Sequence, residues 1–258
     1  MLDIITPPSS VLFESTHHRH SYVTVAVTLY NYAEVIVEAL ETVRAQELAN
    51  LDLVVVDDCS TDGGEQRVLD WLQAHNHRFG RCILVRPPTN QGLAVTRNQS
   101  FALAATPFVF VLDADNQLYP RCLAVCLAAA QANSADAIYT ILEVFGDAEG
   151  VMGTDPWDAA ALRAGNYIDA MTLIRRATWQ RLGGYRRMPA NGWEDYDLWL
   201  KFAEAGLEAL HVPEILCRYR KRETSMLRSV TNRPGTIKSL YEDMRLHHPC
   251  VLPQRGPV

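Results

Sequence analysis

The sequence has no excess of positive charge: 24 Lys+Arg stand against 30 Asp+Glu, a formal net charge of −6. Nucleic-acid binders usually show a basic face, and attachment to anionic lipid by charge alone needs basic residues, so both partner classes are disfavoured. No run approaches the roughly 20 apolar residues that span a bilayer; the longest candidates are 108–112 and the Ala-rich 122–132. Six cysteines (Cys59, Cys82, Cys122, Cys126, Cys217 and Cys250) show no C-x-x-C spacing, so neither a disulfide framework nor a zinc site is expected. Residues 1–10 carry no basic-then-apolar signal pattern, and a cytoplasmic location is the expectation. G-x-x-x-x-G-K-[ST], G-x-G-x-x-G, H-E-x-x-H and G-x-S-x-G are all missing. Phosphate-loop kinases, Rossmann dehydrogenases, zinc peptidases and α/β-hydrolases thereby lose their main support.

What is present is a soluble composition, 48% hydrophobic and 21% charged, which excludes a disordered chain. Residues 1–21 read as an irregular leader. His17, His18 and His20 there could bind metal, or could simply be solvated. From Tyr22 the chain alternates. Apolar strands are predicted at Val23–Leu29, 53–56, 82–85, 108–112 and 137–141. Helices are predicted at 33–49, 66–77, 93–105, 121–132 and 195–205, each with an apolar face. Residues 168–174 form a further apolar run that could be a strand. Alternation of this kind implies an α/β fold with a mostly parallel sheet and helices on both faces. One domain is expected over 22–228, followed by a polar tail, 229–258, that packs loosely. Ligands of such sheets bind beyond the carboxyl ends of the strands. Asn31, Asp57, Asp58, Asp113 and Asp115 directly follow apolar strands and should converge on one rim.

The carboxylates carry the chemistry. In Asp113-Ala114-Asp115, residues i and i+2 of an extended segment share a side. Two charges 4 Å apart repel by roughly 4 kcal/mol at an effective dielectric near 20. The pair is either a solvated surface turn or a site for a hard divalent cation, Mn²⁺ or Mg²⁺, completed by water and phosphate oxygens. Asp57-Asp58-Cys59-Ser60-Thr61-Asp62 is either a capping turn or a place where one aspartate accepts ligand N–H groups. Glu194-Asp195 at a helix start is explained by the helix dipole alone, and also suits a general base.

These segments stand in a telling order: Thr28-Leu29-Tyr30-Asn31-Tyr32, Val54-Val55-Val56-Asp57-Asp58, Asn90-Gln91-Gly92 with Arg97-Asn98, Asp113-Ala114-Asp115, Gly183-Gly184-Tyr185 and Trp193-Glu194-Asp195-Tyr196-Asp197. Together they resemble family 2 glycosyltransferases of GT-A fold, over residues 23–226. The resemblance implies an inverting transfer of a sugar from a nucleoside diphosphate sugar, usually UDP-linked, to an acceptor hydroxyl, as on a glycan or cell-surface polysaccharide precursor. By that resemblance Thr28, Tyr30, Asn31, Asp57, Asp58, Gly92, Arg97 and Asp113 line the nucleotide-sugar pocket. Asp113 and Asp115 hold Mn²⁺ or Mg²⁺. Asp195, with Glu194 as the competing choice, is the base, and Gly192 and Trp193 lie near the acceptor. Family members often carry Gly where Cys59 stands and His where Arg222 stands. Arginine cannot ligate a cation but can pair with phosphate. Two other readings stand beside this one. A nucleotide-sugar binding module with weakened catalysis is favoured by Arg222 and opposed by the intact carboxylates. A sugar nucleotidyltransferase would need a Gly-rich basic loop where Tyr30-Asn31-Tyr32-Ala33-Glu34 stands. Donor sugar, acceptor and oligomeric state are not legible.

Overall fold

The computed structural model describes residues 4, 6–17, 20–190, 192–222 and 234–252. Strands β1 (Ser10–Thr16), β2 (Val23–Leu29), β3 (Leu51–Asp57), β4 (Arg81–Arg86) and β5 (Phe108–Asp113) form one half of a single sheet. Strands β6 (Gln117–Leu118), β7 (Ala137–Gly146), β8 (Gly150–Met152), β9 (Leu173–Arg175) and β10 (Ala209–Lys221) form the other half. The order is β1-β4-β3-β2-β5-β9-β7-β10-β6, with β8 paired to β7. The β4-β3-β2-β5 block and the β7-β10 pair are parallel, and the remaining pairings are antiparallel.

Period-two alternation decides which face each strand residue serves. Val23, Val25, Val27, Phe108, Phe110 and Leu112 point to one core, shared with α1 (Ile36–Arg44), α2 (Gly64–His75) and α4 (Cys122–Asn133). Ala26, Val109 and Val111 point to the other. There they meet Phe101 of α3 (Leu93–Leu103), Trp179 of α5 (Arg176–Arg181), Trp199 and Phe202 of α6 (Glu194–Glu204) and Met244 of α7 (Pro234–His247). With both faces covered, the central strands β2 and β3 are buried along their whole length and mostly apolar, and they read from sequence without difficulty.

Two expectations fail at the ends. The stretch read as an irregular leader contains β1, which pairs antiparallel with β4 from Ser10 opposite Arg86 to Thr16 opposite Arg81. It is an edge strand, half exposed, so it needs too few apolar residues to signal itself. The tail read as loosely packed contains α7, which begins at Pro234, a residue suited to a helix start, and buries Leu240 and Met244 completely. The boundary at residue 228 lies outside the described residues. Strand β9 is three residues long, not the whole apolar run 168–174. Strand β10, thirteen residues with mixed burial, breaks register around Pro213, which has no N–H to give the ladder.

Candidate active site

Register brings the strand ends together. Thr28 stands opposite Asp113, and Leu29 opposite Asp57, at the carboxyl ends of three parallel strands. The Thr28 hydroxyl donates to Asp113 Oδ1 at 3.3 Å. Beyond this rim, α3 and α6 supply the other charged groups.

Arg97 joins them. It is 2% exposed on α3, and its guanidinium donates to Asp113 Oδ1 at 2.8 Å and to Glu194 Oε1 at 2.5 Å. Among the described residues its buried Nε has no hydrogen-bond partner. Two sequence motifs 81 positions apart thus share one cation (113 and 194). Asn98, the next residue, accepts from the Tyr185 N–H at 2.8 Å and donates to the Tyr185 carbonyl at 2.7 Å. A Cβ on Gly184, at φ +67°, would meet Asn98 Oδ1 at 2.6 Å, so the glycine there is required. This is the physical link between the Arg97-Asn98 and Gly183-Gly184-Tyr185 motifs.

The carboxylates are crowded. Burial, then neighbouring Asp113, pushes Asp115 up to about 6. Burial, then Asp113, does the same to Asp169, also to about 6. Burial raises Glu194 and Asp195, while Arg97 pulls both back. Asp195 Oδ2 accepts from Asn166 Nδ2 at 3.0 Å, and its Oδ1 accepts the Tyr196 N–H at 2.8 Å. Tyr32 is raised to about 12 by burial and by Asp115 and Asp113, and Arg222 lies 5.7 Å from its ring centre. Tyr219 is raised by burial and by Asp169, Asp113 and Asp115. Arg220 braces the D-x-D turn: its N–H donates to Asn116 Oδ1 at 2.8 Å and its Nε to the Asp115 carbonyl at 2.9 Å.

Sequence reading missed Asp169, Tyr219, Arg220 and Asn166. Asp169 left one usable signal, a carboxylate inside the apolar run Ile168, Ala170, Met171.

The Asp57-Asp58 pair does something more specific than line a pocket. Asp57 is fully buried, bonded to Arg86 and to the Ser60 N–H. Asp58, 3% exposed, accepts the Gln91 N–H at 2.7 Å and the Gly92 N–H at 2.8 Å. Both carboxylates are therefore occupied by the protein, and Asp58 fixes the Asn90-Gln91-Gly92 loop. Asn31, at φ +59°, accepts from the Thr61 N–H at 2.8 Å. Cys59 sits at φ +66°, in the left-handed region that favours glycine. Tyr30 projects from the rim, 48% exposed. Gly192, at φ +107°, and Trp193, at φ +68°, lead into α6. A cavity of about 260 Å³ opens beside Glu194, lined also by Gln91, Gly92, Arg187, Met188 and Gly192.

The donor set fits a hard cation in one way. Asp113 and Asp115 would supply oxygen ligands, and Asp115, raised first by burial and then by Asp113, stands where a cation would offset the crowding of the two carboxylates. Among the described residues no three His, Cys, Asp or Glu side chains converge as a cage. A cation here would take two protein carboxylates and complete its shell with phosphate oxygens and water, as Mg²⁺ and Mn²⁺ do in diphosphate sites. Arg222 lies over the Tyr32 ring, and residues 223–226 of its motif lie outside the described residues.

The sequence model of Glycosyl transferase family 2 matches residues 24–201. EpsE of Bacillus subtilis (strain 168), which carries the name of a glycosyltransferase, is 29% identical over 210 residues, covering 79% of this chain and 73% of its own. The chain is 29% identical to the O-antigen biosynthesis protein RfbC of Myxococcus xanthus, matching 73% of this chain and 15% of RfbC. Among solved structures, S. aureus TarS 1-349 in complex with UDP-GlcNAc superposes with a TM-score of 0.72 at 18% identity, over 91% of this chain and 68% of that one. The mannosyltransferase PcManGT of Pyrobaculum calidifontis, in complex with GDP-Man and Mn²⁺, gives 0.64 at 22% identity, over 93% and 74%. These structures share the GT-A fold of the sheet described above. Among the described residues no helix is long and apolar enough to cross a membrane.

Proposed function

This chain belongs to glycosyl transferase family 2 and is a transferase enzyme, and from that premise we propose that it moves a sugar, with inversion, from a UDP-linked donor to a glycan hydroxyl with the help of a divalent cation. The observation that carries the reading is the Arg97 bridge, which holds the strand-end pair and the helix-start pair on one rim. Thr28, Tyr30, Asn31 and Gly92 line the nucleotide end, and Asp57 and Asp58 hold its walls in shape. Asp113 and Asp115 would hold Mn²⁺ or Mg²⁺, which as a Lewis acid offsets the charge that grows on a departing diphosphate. Arg222 pairs with phosphate oxygens there.

A one-step inversion needs a single base on the face opposite the leaving group. Glu194 is tied to Arg97, while among the described residues the Asp195 carboxylate accepts hydrogen bonds only from the Asn166 amide and a backbone N–H. Asp195 is therefore the base, and its raised pKa brings proton acceptance closer to neutral pH, where a base works best. Gly192 and Trp193 border the acceptor. The UDP-GlcNAc complex of TarS supports a UDP-linked donor. RfbC, named for O-antigen biosynthesis, and the chondroitin synthase of Escherichia coli, 26% identical over 200 residues, support a glycan acceptor. The chain spans 15% and 28% of those two relatives.

The test is a panel of UDP- and GDP-sugars assayed for Mn²⁺-dependent donor hydrolysis. Asp115→Ala should lose Mn²⁺-dependent nucleotide binding. Asp195→Asn should keep that binding and lose turnover by about 10²–10⁴-fold, the range for a removed general base. Unimpaired turnover in Asp195→Asn, or in wild type with excess chelator, sinks the reading.

A further inference from the structure

The family match ends at residue 201, yet α7, more than thirty residues later, is packed against the start of the helix that carries the acidic pair. Trp193 is the residue before that pair. It caps α6 in the left-handed region, at φ +68°, and among the described residues makes no side-chain cap bond. A non-glycine residue in that region persists only where its surroundings over-determine it. Here they are aromatic. The Tyr196 ring stands edge-on 5.8 Å from the indole, and the Tyr241 ring of α7 stands edge-on 4.6 Å from it.

The rest of α7 is anchored so that Tyr241 has little room to move. Asp243 pairs with Arg186 at 2.7 Å, and Arg186 also pairs with Asp197 of α6 at 2.7 Å. Met244 is fully buried among the α6 aromatics. His248, just past α7, stands 3.0 Å from both Asp197 and Glu204. Each of these contacts lands on α6 or on the loop leading into it.

We propose that Tyr241 is a positioning residue: brought in on α7, its ring fixes the Trp193 indole, and through it the direction in which Glu194 and Asp195 enter the site. The C-terminal helix is thus a working part of the transferase domain. This rests on the reading of Glu194 and Asp195 as the working carboxylates, and the test separates the two.

The test uses the full chain with Tyr241→Ala and Tyr241→Phe. Tyr241 is only half-buried, and Phe keeps the ring. Hydrogen exchange of residues 193–199 should speed up by about tenfold in the Ala variant, with α3 and β5 unchanged, and stay near wild type in the Phe variant, as expected for local rather than global opening. With UDP-GlcNAc and Mn²⁺ as the probe, donor hydrolysis by the Ala variant should fall about tenfold in kcat, with the donor KM within about twofold, since misplacement of a catalytic group affects the chemical step. Unchanged exchange over 193–199 in the Ala variant overturns the proposal, as does a Phe variant that behaves like Ala. If Asp195→Asn hydrolyses the donor as wild type does, the assignment of the base has failed, and the exchange result alone then decides the role of Tyr241.

Discussion

Removing the Arg97 guanidinium would strand Asp113 and Glu194 with their charges in a poorly solvated setting. Breaking a buried ion pair from one side costs about 3–5 kcal/mol. Arg97→Gln should therefore lower the free energy of unfolding by about that amount, read from urea titration at constant m-value. Glu194→Gln should cost clearly less, because its amide oxygen still accepts from Arg97 and burial already disfavours the Glu194 anion. Equal losses in the two variants would show that Arg97 is not the hub. The residues that could be read from sequence share a trait: Asp113, Asp115, Glu194 and Asp195 stand at the ends of elements whose periodicity is plain. Asp169 was hidden because it stands inside an apolar run. The true partners of Asp58 were hidden because hydrogen bonds to Gln91 and Gly92 join residues 33 and 34 positions apart, which no local spacing encodes.

At the level of elements, the central strands and helices α1 to α4 were legible, because each buries a continuous strip and shows the matching period. Strands β1 and β10 and helix α7 were not. Each has one wet side, and α7 is held as much by ions as by apolar contact. Asp197 is the centre of that ionic cluster. Burial alone would raise it, but His248, Lys201 and Arg186 outweigh burial and hold its carboxyl well below the usual range. A folded-state pKa below the unfolded value means a stabilising contribution that is complete above about pH 4 and fades as pH falls below the unfolded pKa. Wild type should therefore lose stability between pH 4 and pH 2.5, and Asp197→Asn should lose less over that interval while starting from a lower plateau. Parallel pH curves for the two proteins would mean that the α6–α7 contact is not held by this carboxylate.

Across the whole molecule, the opposite sign applies at the active-site rim. Asp115 and Asp169 have folded-state values near 6, raised by burial and by Asp113. Unfolded carboxyls titrate near about 4. Stability they contribute is complete below about pH 4 and is lost as pH rises through 6, because the folded chain then carries negative charge it solvates poorly. The free protein should accordingly be less stable at pH 6.5 than at pH 4.5 by more than Asp169→Asn is. The net charge of −6 adds a diffuse repulsion of the same sign, which salt screens within a Debye length of about 8–10 Å. The half-buried rim is screened far less, so the difference between wild type and Asp169→Asn should survive in 0.5 M NaCl. A bound cation would reverse the same penalty. A cation and a nucleotide that bind only the folded state stabilise it by RT ln(1 + [L]/Kd), about 2.7 kcal/mol at a hundred times Kd. At pH 6.5, Mn²⁺ with UDP should raise the denaturation midpoint. UDP with chelator should raise it little, and Asp115→Ala should abolish the difference. If the midpoint rises equally with and without the cation, the rim carboxylates carry their strain for some purpose other than holding a metal.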